Sequence, residues 1–227
     1  MKKFIILFVC AVMSISVFAA CNKKPDGPEY SEYVSYYQTH QYTALNEDFA
    51  VSVYSGVRES EFRSDGKVGE TQTFYVVSAT PLNSSLKLPV NYKLTDGTKT
   101  AEGSLEQDKL SASFSSEADL SDIIENLKTI TLSYADKEVT LTLENRLENM
   151  IDWQEALKIA TAELKDVIAE NTDESGKLTR EIYVKFIRNR FDHESPYYWY
   201  VALVGEDYKY SALLINPENG EILTKKD

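Results

Sequence analysis

An α+β fold is predicted for this chain: an antiparallel, immunoglobulin-like β-sandwich in the N-terminal part, then a small unit in which one helix covers an antiparallel sheet. Two observations carry the prediction. From Phe49 to Leu143, short runs rich in Val, Thr, Tyr and Phe are separated by turn signals such as Asp65-Gly66 and Asp96-Gly97, with no long helix between them. From Asp152 onward, one stretch of helical periodicity is followed by three strand-like runs.

Residues 1–20 are expected to be removed before the protein folds. Lys2 and Lys3 precede a fifteen-residue, mainly apolar run from Phe4 to Phe18, followed by Ala19, Ala20 and Cys21, the pattern of a secretory leader. The run is shorter than the roughly 20 apolar residues needed to span a bilayer. Phe18-Ala19-Ala20-Cys21 resembles the lipobox of bacterial lipoproteins. The resemblance implies cleavage before Cys21, diacylglycerol on its thiol and acylation of the new amine. Two or three chains, at about 0.8 kcal/mol per buried methylene, make such an anchor stable. Cys10 lies in the leader, so the mature chain keeps Cys21 alone and has no internal disulfide to form. The expected location is the extracytoplasmic face of the cell membrane, or the outer membrane if the host has two.

Residues 21–47 are read as a lipidated tether and Tyr-rich lead-in. Asn22 to Glu29 is polar and rich in turn formers, and Tyr30, Tyr33, Val34 and Tyr37 have helical spacing. Residues 48–146 form the expected sandwich. Its strands are placed near Phe49–Val57, Thr71–Ala79, Val90–Leu94, Lys109–Phe114, Thr129–Tyr134 and Glu138–Leu143, with a short helical turn over Leu120–Leu127. The polar segment Glu144–Asn149 marks a boundary.

Residues 150–227 form the second unit. Asp152 reads as an N-cap, with Glu155 completing a capping box. Trp153, Ala156, Leu157, Ala160, Leu164, Val167 and Ile168 mark one face of a helix of about seventeen residues. Strands are expected over Leu178–Arg188, Tyr197–Val204 and Tyr208–Asn216, with Glu221–Thr224 after a turn. The helix, the pair Tyr200–Leu203 and Tyr210–Ile215, and the closing turn with Gly220, Glu221 and Ile222 resemble a PepSY domain. That resemblance implies a non-catalytic module that binds or restrains peptidases, with no catalytic residues to carry over.

The residues offer little catalytic chemistry. Outside the leader the histidines are His40 and His193, and the triad types in Asp192-His193-Glu194-Ser195 are sequence neighbours that cannot face one another as nucleophile, base and orienter. Asn171, Asp173 and Ser175 echo a calcium loop, but Ile182 stands where its bidentate Glu belongs, and a helix-ending turn explains the same residues. Neither a metal nor a cofactor is expected.

The whole chain carries 36 acidic and 24 basic residues, a formal net charge of −12. Such a body repels nucleic acid and anionic lipid. All fifteen tyrosines lie beyond the leader. The candidate binding surface is Tyr30, Tyr33 and Tyr37 with Tyr197, Tyr198, Trp199 and Tyr200, because these rings give rigid contact area with a polar tip. Strand alternation puts either Tyr197 and Trp199, or Tyr198 and Tyr200, under the helix. The expected role is a membrane-anchored module that binds an envelope protein or restrains a protease; the alternative is binding of carbohydrate or cell wall.

Overall fold

The computed structural model describes residues 29–61, 63, 65–82, 90–109, 112–188, 197–206 and 209–226. The leader, Cys21, the tether as far as Pro28 and Asp192–Ser195 lie outside them. The fold is dominated by strand and carries two helices, an α+β composition. In chain order it runs β1 (Val34–Leu45), β2 (Phe49–Glu59), β3 (Thr71–Pro81), β4 (Val90–Thr95), β5 (Thr100–Gln107), β6 (Phe114–Glu117), β7 (Thr129–Tyr134), β8 (Lys137–Thr142) and β9 (Glu144–Asn145). Helices α1 (Trp153–Glu163) and α2 (Lys165–Glu170) follow, then β10 (Glu181–Arg188), β11 (Tyr197–Val204), β12 (Tyr210–Ile215) and β13 (Ile222–Lys226).

Neighbouring strands pair in the order β13-β12-β11-β10-β1-β2-β3-β6-β5-β4-β7-β8, with β9 beside β1. The strand that joins the two ends is β1, which pairs antiparallel with β2 and parallel with β10. Helical spacing at Tyr30, Tyr33 and Tyr37 therefore misleads. A single 3-10 turn, Ser31–Tyr33, precedes a twelve-residue strand. Strands on both sides satisfy its backbone, and that tertiary pairing outweighs local periodicity.

Two further expectations are corrected. Of the strand expected at Lys109–Phe114, only Phe114 lies in a strand among the described residues; β5 ends before it at Gln107 and β6 begins at its last residue. β5 is Thr-Ala-Glu-Gly-Ser-Leu-Glu-Gln, and its inward positions are Ala101, Gly103 and Leu105, of which only Leu105 is large and buried, so its alternation is faint in sequence. It pairs with β4 through Thr100–Leu105 and with β6 through Glu106 and Gln107. The single long helix is two, parted at Leu164. That residue is fully buried, and the hydrogen bonds from Leu164 N to Ala160 O and from Ile168 N to Leu164 O carry the ladder past the turn. The cap at Asp152 is as expected: its carboxylate accepts from Glu155 N at 2.8 Å.

Two buried clusters follow from the apolar alternation. One gathers Tyr42, Phe49, Val51, Val53, Val77 and Ala79 of β1–β3 with Val90, Tyr92 and Leu94 of β4, Leu105 of β5, Ile130, Leu132 and Tyr134 of β7, and Leu141 of β8. The other gathers Ala156, Leu157, Ala160, Leu164 and Ile168 of the helices with Ile182, Val184 and Phe186 of β10, Trp199, Val201 and Leu203 of β11, and Leu213 and Ile215 of β12.

Candidate functional site on the uncovered sheet face

Residues paired directly across antiparallel strands project to the same side of the sheet. Tyr42 pairs with Val53, which pairs with Val77, and Val184 of β10 pairs with Val201 of β11 and lies beside Tyr37 of β1. Both cores therefore occupy one side of β1–β3 and β10–β12. The other side carries Phe74 and Val76 of β3, Tyr54 and Arg58 of β2, Tyr36 of β1, Tyr183 and Lys185 of β10, and Tyr198 and Tyr200 of β11, with Phe74, Val76 and Tyr183 buried beneath their neighbours. None of these residues belongs to either core.

Rings and cations cover one another on this side. Tyr36 and Tyr54 lie 5.4 and 6.1 Å from Phe74 between ring centroids, and the Arg58 guanidinium sits 5.0 Å above the Phe74 ring. Arg58 also holds Glu117 through two bonds of 2.6 and 2.7 Å. Lys185 Nζ stands 4.9 Å from the ring centroids of both Tyr36 and Tyr183, a double cation–π contact. Burial raises the phenol pKa of Tyr36 and Tyr54 and lowers that of the Lys185 ammonium, which Glu181 partly counters.

Beside these residues runs a trough of about 550 Å³, within the size range of ligand sites. Its floor is Gln38, Gln41, Ser52 and Tyr54, and Lys185, Arg146, Arg188 and Tyr197 also line it; Arg188 and Tyr197 pair with one another on the same side of the sheet as Phe186 and meet the trough at the splay. The trough opens where β10 leaves β1. The two pair only as far as Val184, and beyond that the Gln38 side chain accepts from Phe186 N at 2.7 Å. Gln41 donates to Ser52 Oγ at 2.8 Å and closes the floor.

A second cleft, of about 310 Å³, lies at the start of β10 between Ser35, Tyr36, Arg58, Glu59, Tyr183 and Lys185. Behind it Glu181 is fully buried, and neither of its carboxylate oxygens completes a well-formed hydrogen bond. Burial raises its pKa; Ser35 and Tyr183 hydroxyls pull it back, while Glu59 and Asp65 push it further up. Glu59, itself 6% exposed, is occupied in accepting from Gly69 N at 2.5 Å.

A carboxyl whose folded pKa exceeds its unfolded one supports the fold while protonated and loses that support as pH rises through the folded value. Stability should therefore fall as pH climbs above the ordinary carboxylate range. Glu181→Gln should flatten that fall and raise the urea midpoint at neutral pH. Equal slopes for both proteins between pH 4 and 8 would sink this account of Glu181.

The expected surface residues divide between the two sides. Trp199 is 0% exposed and sits in the helix-covered core, with its Nε1–H donating to Ile151 O at 3.0 Å. It is not a binding residue. Tyr197 lies on the same side, stacked on Phe186 at 5.1 Å, yet reaches the trough wall. Tyr37 stacks on Trp153 at 4.0 Å, and Tyr30 and Tyr33 lean on the same core half-buried. Tyr198 and Tyr200 are on the side that neither core occupies, which is uncovered among the described residues. Tyr36, Tyr54, Phe74, Tyr183 and Lys185, absent from the expected surface, complete it.

Elsewhere the polar groups are used locally. The Asp173 carboxylate accepts from Ser175 N, Ser175 Oγ and Lys177 N at 2.7–3.0 Å, and the Ser175 hydroxyl is the main cause of its lowered pKa. Among the described residues no group of three or more His, Cys, Asp or Glu could hold a metal. No helix among them is long and apolar enough to cross a membrane. Comparison of the chain with protein-family models, with curated proteins and with solved structures gives no match.

Proposed function

We propose that this chain is a lipid-anchored, extracytoplasmic binding protein that holds another envelope protein against the uncovered face of its sheet and acts by restraint, without catalysis. The observation that carries this reading is the trough at the splay of β1 and β10, where tyrosines, amides and cations converge beside the sheet face that neither core uses. The leader and Cys21 supply the anchor, which confines encounters to the membrane surface and raises the effective concentration of partners held there.

The shared core of β1–β3 with β4, β5, β7 and β8 supports reading that part as an immunoglobulin-like sandwich. The C-terminal part supports a PepSY-like reading. Its closing turn presses on the helix: Gly220 has φ +76, and a Cβ there would meet Ile159 Cδ1 at 2.8 Å. Tyr198 and Tyr200 on the uncovered side support carbohydrate binding as the second reading.

The test is affinity capture from the native envelope with the lipidated chain. Wild type should recover a discrete envelope protein, Tyr54→Ser should lose it, and Lys165→Ser on α2 should keep it. Equal capture by all three, or none by wild type, contradicts the reading. Cys21→Ser should also abolish labelling by a palmitate analogue and release the chain from the membrane fraction; persistence of both contradicts the anchor.

A further inference from the structure

This inference rests on the binding reading above and names the chemistry of what is bound. We propose that the trough takes an extended, acidic segment of the partner polypeptide, laid along the stretch of β10 that β1 leaves unpaired.

The shape of the site argues for a polypeptide. From Phe186 to Arg188, β10 pairs with Trp199 to Tyr197 of β11 on one side. On the other side, among the described residues, no strand is paired with it. β1 has turned away to pair with β9 at Tyr42 and Thr43. The Gln38 amide oxygen, 2.7 Å from Phe186 N, stands where the carbonyl of a neighbouring strand would stand. Alternate residues of a strand direct their backbone groups to the same edge, so Arg188 offers the next position along it. An open sheet edge beside pockets for alternate side chains is the arrangement that binds extended peptides.

Charge argues for acidity. The charged side chains that line the trough among the described residues are Arg146, Lys185 and Arg188, and no Asp or Glu is part of that lining. Yet the chain carries 36 acidic residues against 24 basic ones. Arg146 is engaged by Glu144 and Thr43, whereas Arg188 is exposed and has no ion-pair partner among the described residues. Lys185 is held over two rings in a setting that disfavours its charge, which a ligand carboxylate would relieve. The site attracts anions on a body that otherwise repels them, so it selects by sign as well as by shape.

Random heptapeptides displayed against the lipidated chain in detergent test this directly. The selected pool should be rich in Asp and Glu alternating with apolar residues. A synthetic member should lose at least about tenfold in affinity from low to high salt. Arg188→Glu should weaken it at least about tenfold, and Lys165→Glu should leave it unchanged. A neutral or basic pool, or equal binding by Arg188→Glu, overturns the proposal. So does trigalacturonate binding in the trough where no peptide is selected. If envelope capture still depends on Tyr54 when these tests fail, the binding face stands and only the chemistry of its ligand falls.

Discussion

Trp199→Ala is expected to destabilise the protein by about 3–5 kcal/mol, the range for removing a large buried aromatic side chain. Trp199 is fully buried in β11, 5.0 Å from the Phe186 ring, and packs in the core beneath α1. Its indole N–H donates to Ile151 O, one residue before the Asp152 cap, and so ties the start of the helix to the sheet. Truncation opens a cavity and leaves that carbonyl without its donor. Trp199→Phe helps separate the effects, since it keeps most of the volume and leaves a smaller cavity, so the lost hydrogen bond, worth about 1 kcal/mol, makes up a larger share of its cost. Urea unfolding of the two variants measures both. A loss below about 1 kcal/mol for Trp199→Ala would show that Trp199 does not hold helix and sheet together.

Gly56→Ala is expected to cost about 3 kcal/mol or more, the upper end for overpacking. Gly56 faces Gln38 in the β1–β2 ladder, where β1 inserts Thr39 as a bulge between Gln38 and His40. A Cβ at Gly56 would lie 2.0 Å from Tyr37 O and 2.9 Å from Gln38 Cα, both backbone atoms that no rotamer change can move. The pairing of β1 must shift, and β1 joins both parts of the sheet. The trough floor at Gln38 would move with it, so Gly56→Ala should lose partner capture as well as stability. A urea midpoint within error of wild type would contradict the described register. Gly103→Ala is a useful contrast: the nearest atoms there belong to the Tyr92 ring at 2.6 Å and not to backbone, so the buried ring must shift but the strand register need not, and a smaller loss is expected.

The strands of the first core were legible where side chains alternate cleanly. Val90, Tyr92 and Leu94 are buried between exposed Asn91 and Lys93, and Ile130, Leu132 and Tyr134 repeat the pattern. The Asp152 cap was legible because capping chemistry is local. β1 was not. Val34 to Leu45 mixes tyrosines with Gln, Thr and His, and its parallel partner lies far along the chain, from Ile182 to Val184. No local signal announces a parallel pairing at that separation.

The candidate site was hidden for the same reason. Tyr36, Tyr54, Phe74 and Tyr183 come from four strands, and only the register brings them onto one side. Counting aromatics in sequence picked the dense run Tyr197–Tyr200, half of which points into the helix-covered core. Alternation limited that run to one pair pointing away from the core, and the structure identifies it as Tyr198 and Tyr200, both half-buried.

Site-specific photocrosslinking in living cells tests the uncovered sheet face as the binding surface most directly. A photoreactive phenylalanine analogue at Tyr54, on that face, should form a discrete adduct with an envelope protein, and the same probe at Tyr33, beside the helix-covered core, should form none. Adducts from position 33 with none from position 54 would contradict the account.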